Sequence, residues 1–316
     1  MHERITLGVS ACLLGQNVRY DGGHKLDRFI RDTLGRYVDF VPVCPEVECG
    51  LPIPREAMRL VGNPASPRLM TIRSQKDLTG QMERWGKTKL DALANKDLCG
   101  YIFKSRSPSS GMARVKVYND KGQPEPKGVG IWAGMFMERF PDLPVEDEGR
   151  LHDPVLRENF INRIFVVKRW QDLLRSGKDL GELIRFHTRH KLLLMAHHEP
   201  SLRRMGRLLA GGKGADREEL FAEYERLLMY SLGLKTTVKK NVNVLYHAMG
   251  YFKKDLSQDE KAELREVIDS YAQELLPLIV PVTLINHFVR KYEQPYLREQ
   301  YYLNPHPLEL KLRNHV

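Results

Sequence analysis

The sequence predicts an α/β N-terminal domain, a mostly parallel sheet with flanking helices, followed by an all-α helical C-terminal domain. Three observations carry this. The first ~150 residues alternate short β-rich runs with helical stretches, the order that builds parallel sheets. Farther along, apolar residues recur at helical period through six long segments. Between the two lies Phe140–Pro154 (FPDLPVEDEGRLHDP), rich in proline and acid, which sets the domains at residues 1–150 and 151–316. A chain of 316 residues can bury two separate cores.

Ile5–Val9 reads as the first strand and runs into the turn-like ACLLGQNVRYDGG. Lys25–Leu34 has helical spacing. Phe40–Cys44 reads as the second strand, stopped by Pro45, which has no N–H to donate. Arg68–Arg73 is a strand candidate, Asp77–Ala94 an amphipathic helix, and Gly100–Lys104 and Val115–Tyr118 are strands. Lys121–Gly130, rich in Gly and Pro, is a turn before the helix Ile131–Phe140. The helical half comprises Val155–Leu174, Leu180–His197, Glu218–Leu232, Val238–Phe252, Gln258–Leu275 and Pro277–Tyr292. The Tyr/Pro-rich tail Tyr296–Val316 is expected to wrap them.

No window approaches the ~20 apolar residues of a membrane span. The start MHERITLGVSACLLG lacks the cationic and continuous apolar regions of a secretory signal, so the expected location is cytoplasmic, with no membrane partner. The net charge of +10 favours polyanionic partners. From residue 151 onward 27 Lys/Arg face 21 Asp/Glu, so both halves share the surplus.

All four cysteines, Cys12, Cys44, Cys49 and Cys99, fall in the first hundred residues. In a reducing compartment such clustering points to a metal or to catalysis more readily than to disulfides. Three segments mix Gly and Pro with polar groups after predicted strands: SACLLGQNVRYDGG (10–23), VCPEVECGLPIPRE (43–56) and KSRSPSSGMARVKVYN (104–119). In open α/β sheets ligands bind at the carboxyl ends of the strands, so one pocket is expected to collect Cys12, Cys44 and the loop after Lys104. Thiolates are the natural ligands of iron–sulfur clusters, and three rather than four would leave one iron open.

These segments resemble the family once catalogued as domain of unknown function 523, the thiouracil desulfurases. The helical half, with FHTRHKLLLMAH and KNVNVLYHAMGYF, resembles domain of unknown function 1722. Fused in this order, the two resemble the bacterial tRNA 4-thiouridine desulfidases. The resemblance implies a 4Fe–4S cluster on three cysteines that takes sulfur from a thiocarbonyl while water replaces it. It further implies tRNA containing 4-thiouridine as substrate and partner. Carried over by motif, Cys12 and Cys44 match two ligands, Glu46 of CPE the acid/base carboxylate, and Ser107 of SPSSG the catalytic serine. The third family cysteine falls in SPSCG, where this chain has Ser110. Cys49, five residues beyond Cys44, is the expected substitute, with Cys99 as the alternative.

Arg19, Asp21, Lys104, Arg106, Ser109 and Ser110 are candidate substrate contacts, set against ordinary turn and surface roles. His187, His190 and His197 share a helix face, but no Asp or Glu has the spacing of a metal partner, so they read as buried or RNA-facing. Arg185, Arg189, Lys191, Arg203, Arg204 and Arg207 form a basic stretch. Lys235, Lys239 and Lys240 precede Asn241 and Asn243, interleaved with Tyr246 and Tyr251, which suits an RNA backbone and a stacked base. Two rival readings remain at this stage: a desulfurase of free thiobases or thionucleosides, and a non-catalytic nucleic-acid-binding protein whose four cysteines hold structural zinc.

Overall fold

The computed structural model describes residues 4–307, 310 and 312–314; parts of the predicted signal-free start and of the predicted tail lie outside the described residues. The chain divides into two units, Met1–Phe160 and Ile161–Val316. The first carries strands β1 (Ile5–Ser10), β2 (Val38–Val43), β3 (Met58–Val61), β4 (Arg68–Thr71), β5 (Gly100–Phe103), β6 (Val115–Tyr118), β7 (Pro124–Gly128) and β8 (Val145–Asp147), and helices α1 (Pro45–Glu48), α2 (Thr79–Ala94) and α3 (Ile131–Arg139). Helix α4 (Pro154–Arg175) crosses the division.

The main sheet has the order β2-β1-β5-β8 and is parallel throughout. Leu7 in β1 stands opposite Phe40 of β2 on one side and Gly100 of β5 on the other. Parallel strands need both faces covered, which is why β1 and β5 read as nearly continuous apolar runs. Helix α2 and the α3 residues Trp132 and Phe136 pack over Tyr101 and Phe103 of β5. Each such aromatic contributes on the order of 2 kcal/mol by leaving water. A second sheet, β4-β3-β6-β7, is mixed and closes on Leu60, Leu69, Leu78, Met82, Val115 and Val117.

Three local departures from the sequence reading have physical causes. The helix expected at Lys25–Leu34 starts late, as one wide turn at Phe29–Thr33 and a tight one at Leu34–Arg36. The N–H groups of Lys25 and Asp27 are already spent on Cys12 O and Leu13 O. The turn expected at Lys121–Gly130 contains β7, whose prolines are tolerated because it is an edge strand. The boundary segment Phe140–Pro154 likewise contributes β8, the other edge of the main sheet.

The second unit is mostly helical: the rest of α4, then α5 (Leu180–Ala210), α6 (Arg217–Gly233), α7 (Val238–Gly250), α8 (Gln258–Ala272), α9 (Ile279–Lys291) and the short α10 (Pro295–Arg298). Asp179, Asp216, Thr237 and Ser257 each cap a helix by accepting a backbone N–H of its first turn. Helix α5 continues past the predicted end at His197, with a kink at His198 just ahead of Pro200. Trp170 stacks on Tyr224 at 5.5 Å in the core. From the tail, Tyr302, Leu303, Leu310 and Leu312 are buried.

Candidate active site

Three segments leave neighbouring strands at the carboxyl edge of the parallel sheet and meet around one cavity. Beyond β1, Ala11–Leu14 form a tight turn that holds Cys12 and ends at Gly15, φ +91°. Beyond β2, Cys44 stands at the N-terminus of α1 with Pro45 in the first helical position, and its N–H donates to Glu48 Oε1 at 2.9 Å. Beyond β5, the backbone N–H of Lys104 donates to Ser10 Oγ at 2.9 Å, tying the serine loop to the end of β1. The cavity measures about 390 Å³, and its wall includes Cys12, Cys44, Glu46, Lys104, Ser107 and Ser110. That volume is in the range of small-molecule sites.

Two glycines shape the serine loop. A Cβ on Gly111 would lie 2.4 Å from Val115 Cγ2, and one on Gly130 would lie 2.4 Å from Ser109 O. This close approach lets Ile131 N and Ala133 N, at the start of α3, donate to Pro108 O and Ser109 O at 3.2 Å.

Glu46 is held at both oxygens. Arg55, whose side chain is 4% exposed, donates to Oε2, and Ser109 Oγ donates to Oε1 at 2.6 Å. Arg55 is itself anchored on Val18 O at 2.9 Å and Pro52 O at 3.3 Å. Ser109 Oγ lies 2.9 Å from Ser107 Oγ, which also accepts the N–H groups of Ser109 and Ser110 at 3.3 and 3.1 Å. A continuous chain thus runs Arg55–Glu46–Ser109–Ser107 and ends on the cavity wall. On the opposite flank, Lys104 Nζ donates to the Glu148 carboxylate and to Ser105 O and Oγ.

Burial dominates the thiols. It pushes Cys12 up to about 12 against the pull of Lys104, with Glu46, Cys44 and Glu148 adding to the rise. It pushes Cys44 up to about 11, with Glu46 adding. Free thiolates are therefore disfavoured here, and a bound cation is what would draw the protons off.

The structure brings Cys12, Cys44, Glu46, Ser107, Lys104, Arg106, Arg19 and Ser110 to one wall. It leaves four other residues apart. Asp21 turns back to pair with Arg19 at 3.2 Å. Ser109 is fully buried behind Ser107. Cys49 donates its S–H to Glu46 O at 3.3 Å and packs against the core of the second sheet. Cys99 is fully buried at the start of β5, its Sγ 3.8 Å from Asp97 O. Sequence reasoning missed Arg55 and Glu148. The only signal for Arg55 was its place in GLPIPRE, inside a segment already marked as a loop.

In the helical unit the three histidines are spent internally. His187 Nδ1 meets the Tyr224 hydroxyl at 3.1 Å, His190 lies between Phe186 O and the Arg169 guanidinium, and His197 Nδ1 meets Leu234 O at 2.7 Å. Burial lowers all three, His187 and His197 to about 4. Arg185, Arg189, Arg203 and Arg204 each pair with a glutamate. Asn241 is buried between Tyr271 and Tyr302, and Tyr251 stacks on Tyr296 at 4.6 Å.

Two thiols, a clamped carboxylate and a hydroxyl on one sheet edge lie within the stretch that decides the comparison with known proteins. Residues 7–148 match the 2-thiouracil desulfurase family. This desulfurase-like stretch contains all three site loops. Residues 191–307 match a family described as a protein of unknown function, DUF1722. The uncharacterized protein YbgA of Escherichia coli strain K12 is 29% identical over 153 residues, 48% of this chain and 90% of that protein. A solved structure of the [4Fe-4S]-dependent thiouracil desulfidase TudS is 30% identical, covering 48% of this chain and 95% of that one, with a TM-score of 0.39. A desulfurase-like domain followed by a DUF1722 domain therefore makes up most of the chain. No helix among the described residues is long and apolar enough to cross a membrane.

Proposed function

We propose that the desulfurase-like domain is an iron–sulfur-dependent desulfidase that converts 4-thiouridine in tRNA to uridine with release of sulfide. The observation that supports it best is the shared cavity, where Cys12 and Cys44 face the Glu46–Ser109–Ser107 chain. The donor set suits the cofactor: two soft thiol donors from neighbouring loops open on one space, and Cys44 is close enough to add to the rise of Cys12. Cys12 and Cys44 would hold the cluster, with Ser110 on the wall given by the third loop. Cys49 and Cys99 stand off this wall, so a structural zinc on all four cysteines would need both of them moved to it.

When bound, the cluster supplies a thiophilic Lewis acid that stabilises departing sulfur. The remaining work falls to the protein. Glu46, kept in place by Arg55, is the proton acceptor for water entering at the ring carbon. Ser107 presents its hydroxyl to the same space, and Lys104 places a positive charge beside Cys12. In this reading the helical unit docks the tRNA, its exposed arginines exchanging weak surface ion pairs for phosphates. A thiobase in a stacked RNA would be turned out to reach the cavity, at a cost of a few kcal/mol.

The test is anaerobic reconstitution with iron and sulfide, then incubation with bacterial tRNA containing 4-thiouridine and, separately, with free 4-thiouracil. Cluster-dependent loss of the thiocarbonyl's near-ultraviolet absorbance in tRNA is expected. Loss with the free base alone would move the substrate to free thiopyrimidines. Loss with neither would defeat the reading.

A further inference from the structure

We propose that Ser109 is the positioning residue that makes Glu46 the base end of a one-way proton chain from Ser107. The inference rests on the desulfidase reading and deepens it by fixing the direction in which the proton moves.

The direction follows from counting hydrogens. A serine hydroxyl has one proton to donate, and an ionised carboxylate can only accept. Ser109 Oγ spends its proton on Glu46 Oε1, 2.6 Å away. In the contact between Ser109 Oγ and Ser107 Oγ at 2.9 Å, Ser107 must therefore be the donor. Two backbone N–H groups, from Ser109 and Ser110, also donate to Ser107 Oγ. Both O–H groups of the chain point along it toward Glu46, while the N–H groups converge on the oxygen that would be left negative. Donors aimed at a developing negative charge are the arrangement that stabilises an oxyanion.

The step balances without any further reactant. The Ser107 O–H bond breaks as an O–H bond forms on Ser109, whose own proton passes to Glu46 Oε1. The negative charge moves from Glu46 to Ser107 Oγ. As that charge develops, Ser107 Oγ takes a proton from the water entering at the thiocarbonyl carbon, so three protons each shift by one place: the water's ends on Ser107, that of Ser107 on Ser109, and that of Ser109 on Glu46. Arg55 cannot follow the charge, being fixed on Val18 O and Pro52 O. Ser109 itself is 0% exposed and stands off the cavity wall, so its role runs through its two neighbours and not through substrate.

The experiment uses the full-length reconstituted protein, with Ser109→Ala and Ser109→Thr beside wild type. Iron and acid-labile sulfide per chain, kcat and KM for the thiopyrimidine that turns over, and kcat in mixtures of H2O and D2O are measured. Ser109→Ala should keep its iron and its KM and lose about 100- to 1000-fold in kcat, the scale of one acid–base contribution. Ser109→Thr should recover most of that loss. Wild type should give a bowed proton inventory, more than one proton moving together. Unchanged kcat in Ser109→Ala, or a loss confined to KM, overturns the proposal. If neither variant folds and loads, the wild-type inventory decides, and a straight line overturns it. No turnover of any thiopyrimidine by wild type would instead sink the desulfidase reading and this inference together.

Discussion

The thiol of Cys49 donates to the carbonyl oxygen of Glu46 at 3.3 Å, and this contact turns it away from the cavity that Cys12 and Cys44 line. Cys49 lies five positions beyond Cys44, but the single turn of α1 between them sends Cys44 to the cavity and Cys49 to the core of the second sheet. Cys49→Ser should therefore leave iron and acid-labile sulfide near wild-type values after reconstitution, while Cys12→Ser and Cys44→Ser should lose them. Iron retained in Cys44→Ser but lost in Cys49→Ser would reverse the assignment. Ser110→Cys, which adds a third thiol to the wall, should increase iron retention.

The Arg55–Glu46 pair is largely shielded from water, so removing one partner strands the other. Arg55→Met should destabilise the N-terminal unit by about 3 kcal/mol, and the double variant Arg55→Met/Glu46→Gln should recover part of it. Urea unfolding at one fixed pH measures both. A cost below roughly 0.5 kcal/mol for the single change would mean the pair is held like a surface bridge.

Gly130 leaves no room for a side chain, because a Cβ there would meet the carbonyl of Ser109. Gly130→Ala should cost about 1–3 kcal/mol through overpacking and shift the serine loop away from Glu46. The check is a lowered Tm together with a lowered kcat. A variant with wild-type values for both would show that the loop can yield.

Four largely buried histidines of the helical unit, His187, His190, His197 and His306, weaken it in acid. Burial lowers His187 and His197 to about 4 from an ordinary value of 6.5, and lowers His190 further. Between pH 6.5 and about 4 the unfolded chain therefore binds more protons than the folded one. The stability these groups contribute is complete above pH 6.5 and is lost as pH falls through the folded values. Denaturation of the helical unit should need less urea at pH 5 than at pH 7. His187→Gln, which cannot protonate there, should narrow that gap. An equal urea midpoint at both pH values would contradict the assignment.

Much of the fold was legible because its elements carry local signals. Val115–Tyr118 alternates and is a strand over the same residues, and the six long helices begin at or near the residues where their apolar period placed them, though α5 runs on past its predicted end. The edges were not legible. Pro124–Gly128 has four exposed residues and no apolar alternation, and β8 is three residues long in an acidic segment. Both become strands only because a neighbour offers a free ladder of donors and acceptors. In the site, the three loops announced themselves through Gly, Pro and Cys at strand ends. The link from Glu46 to Ser109 spans 63 positions, and the orientation of Cys49 depends on one helical turn, so neither could be read from spacing. The basic stretch on α5 is likewise tempered by glutamates that only folding brings alongside, such as Glu299 against Arg189.

The strand order β2-β1-β5 carries a consequence for biogenesis. Its cavity takes one wall from a turn near residue 12, one from residue 44 and one from a loop past residue 104, and the middle wall is made first. During synthesis the first two walls emerge with nothing opposite them until β5 has inserted beside β1. A nascent chain that ends before the serine loop can display both thiols yet cannot enclose a guest. A metal held between Cys12 and Cys44 would therefore be enclosed only once the whole domain has been made.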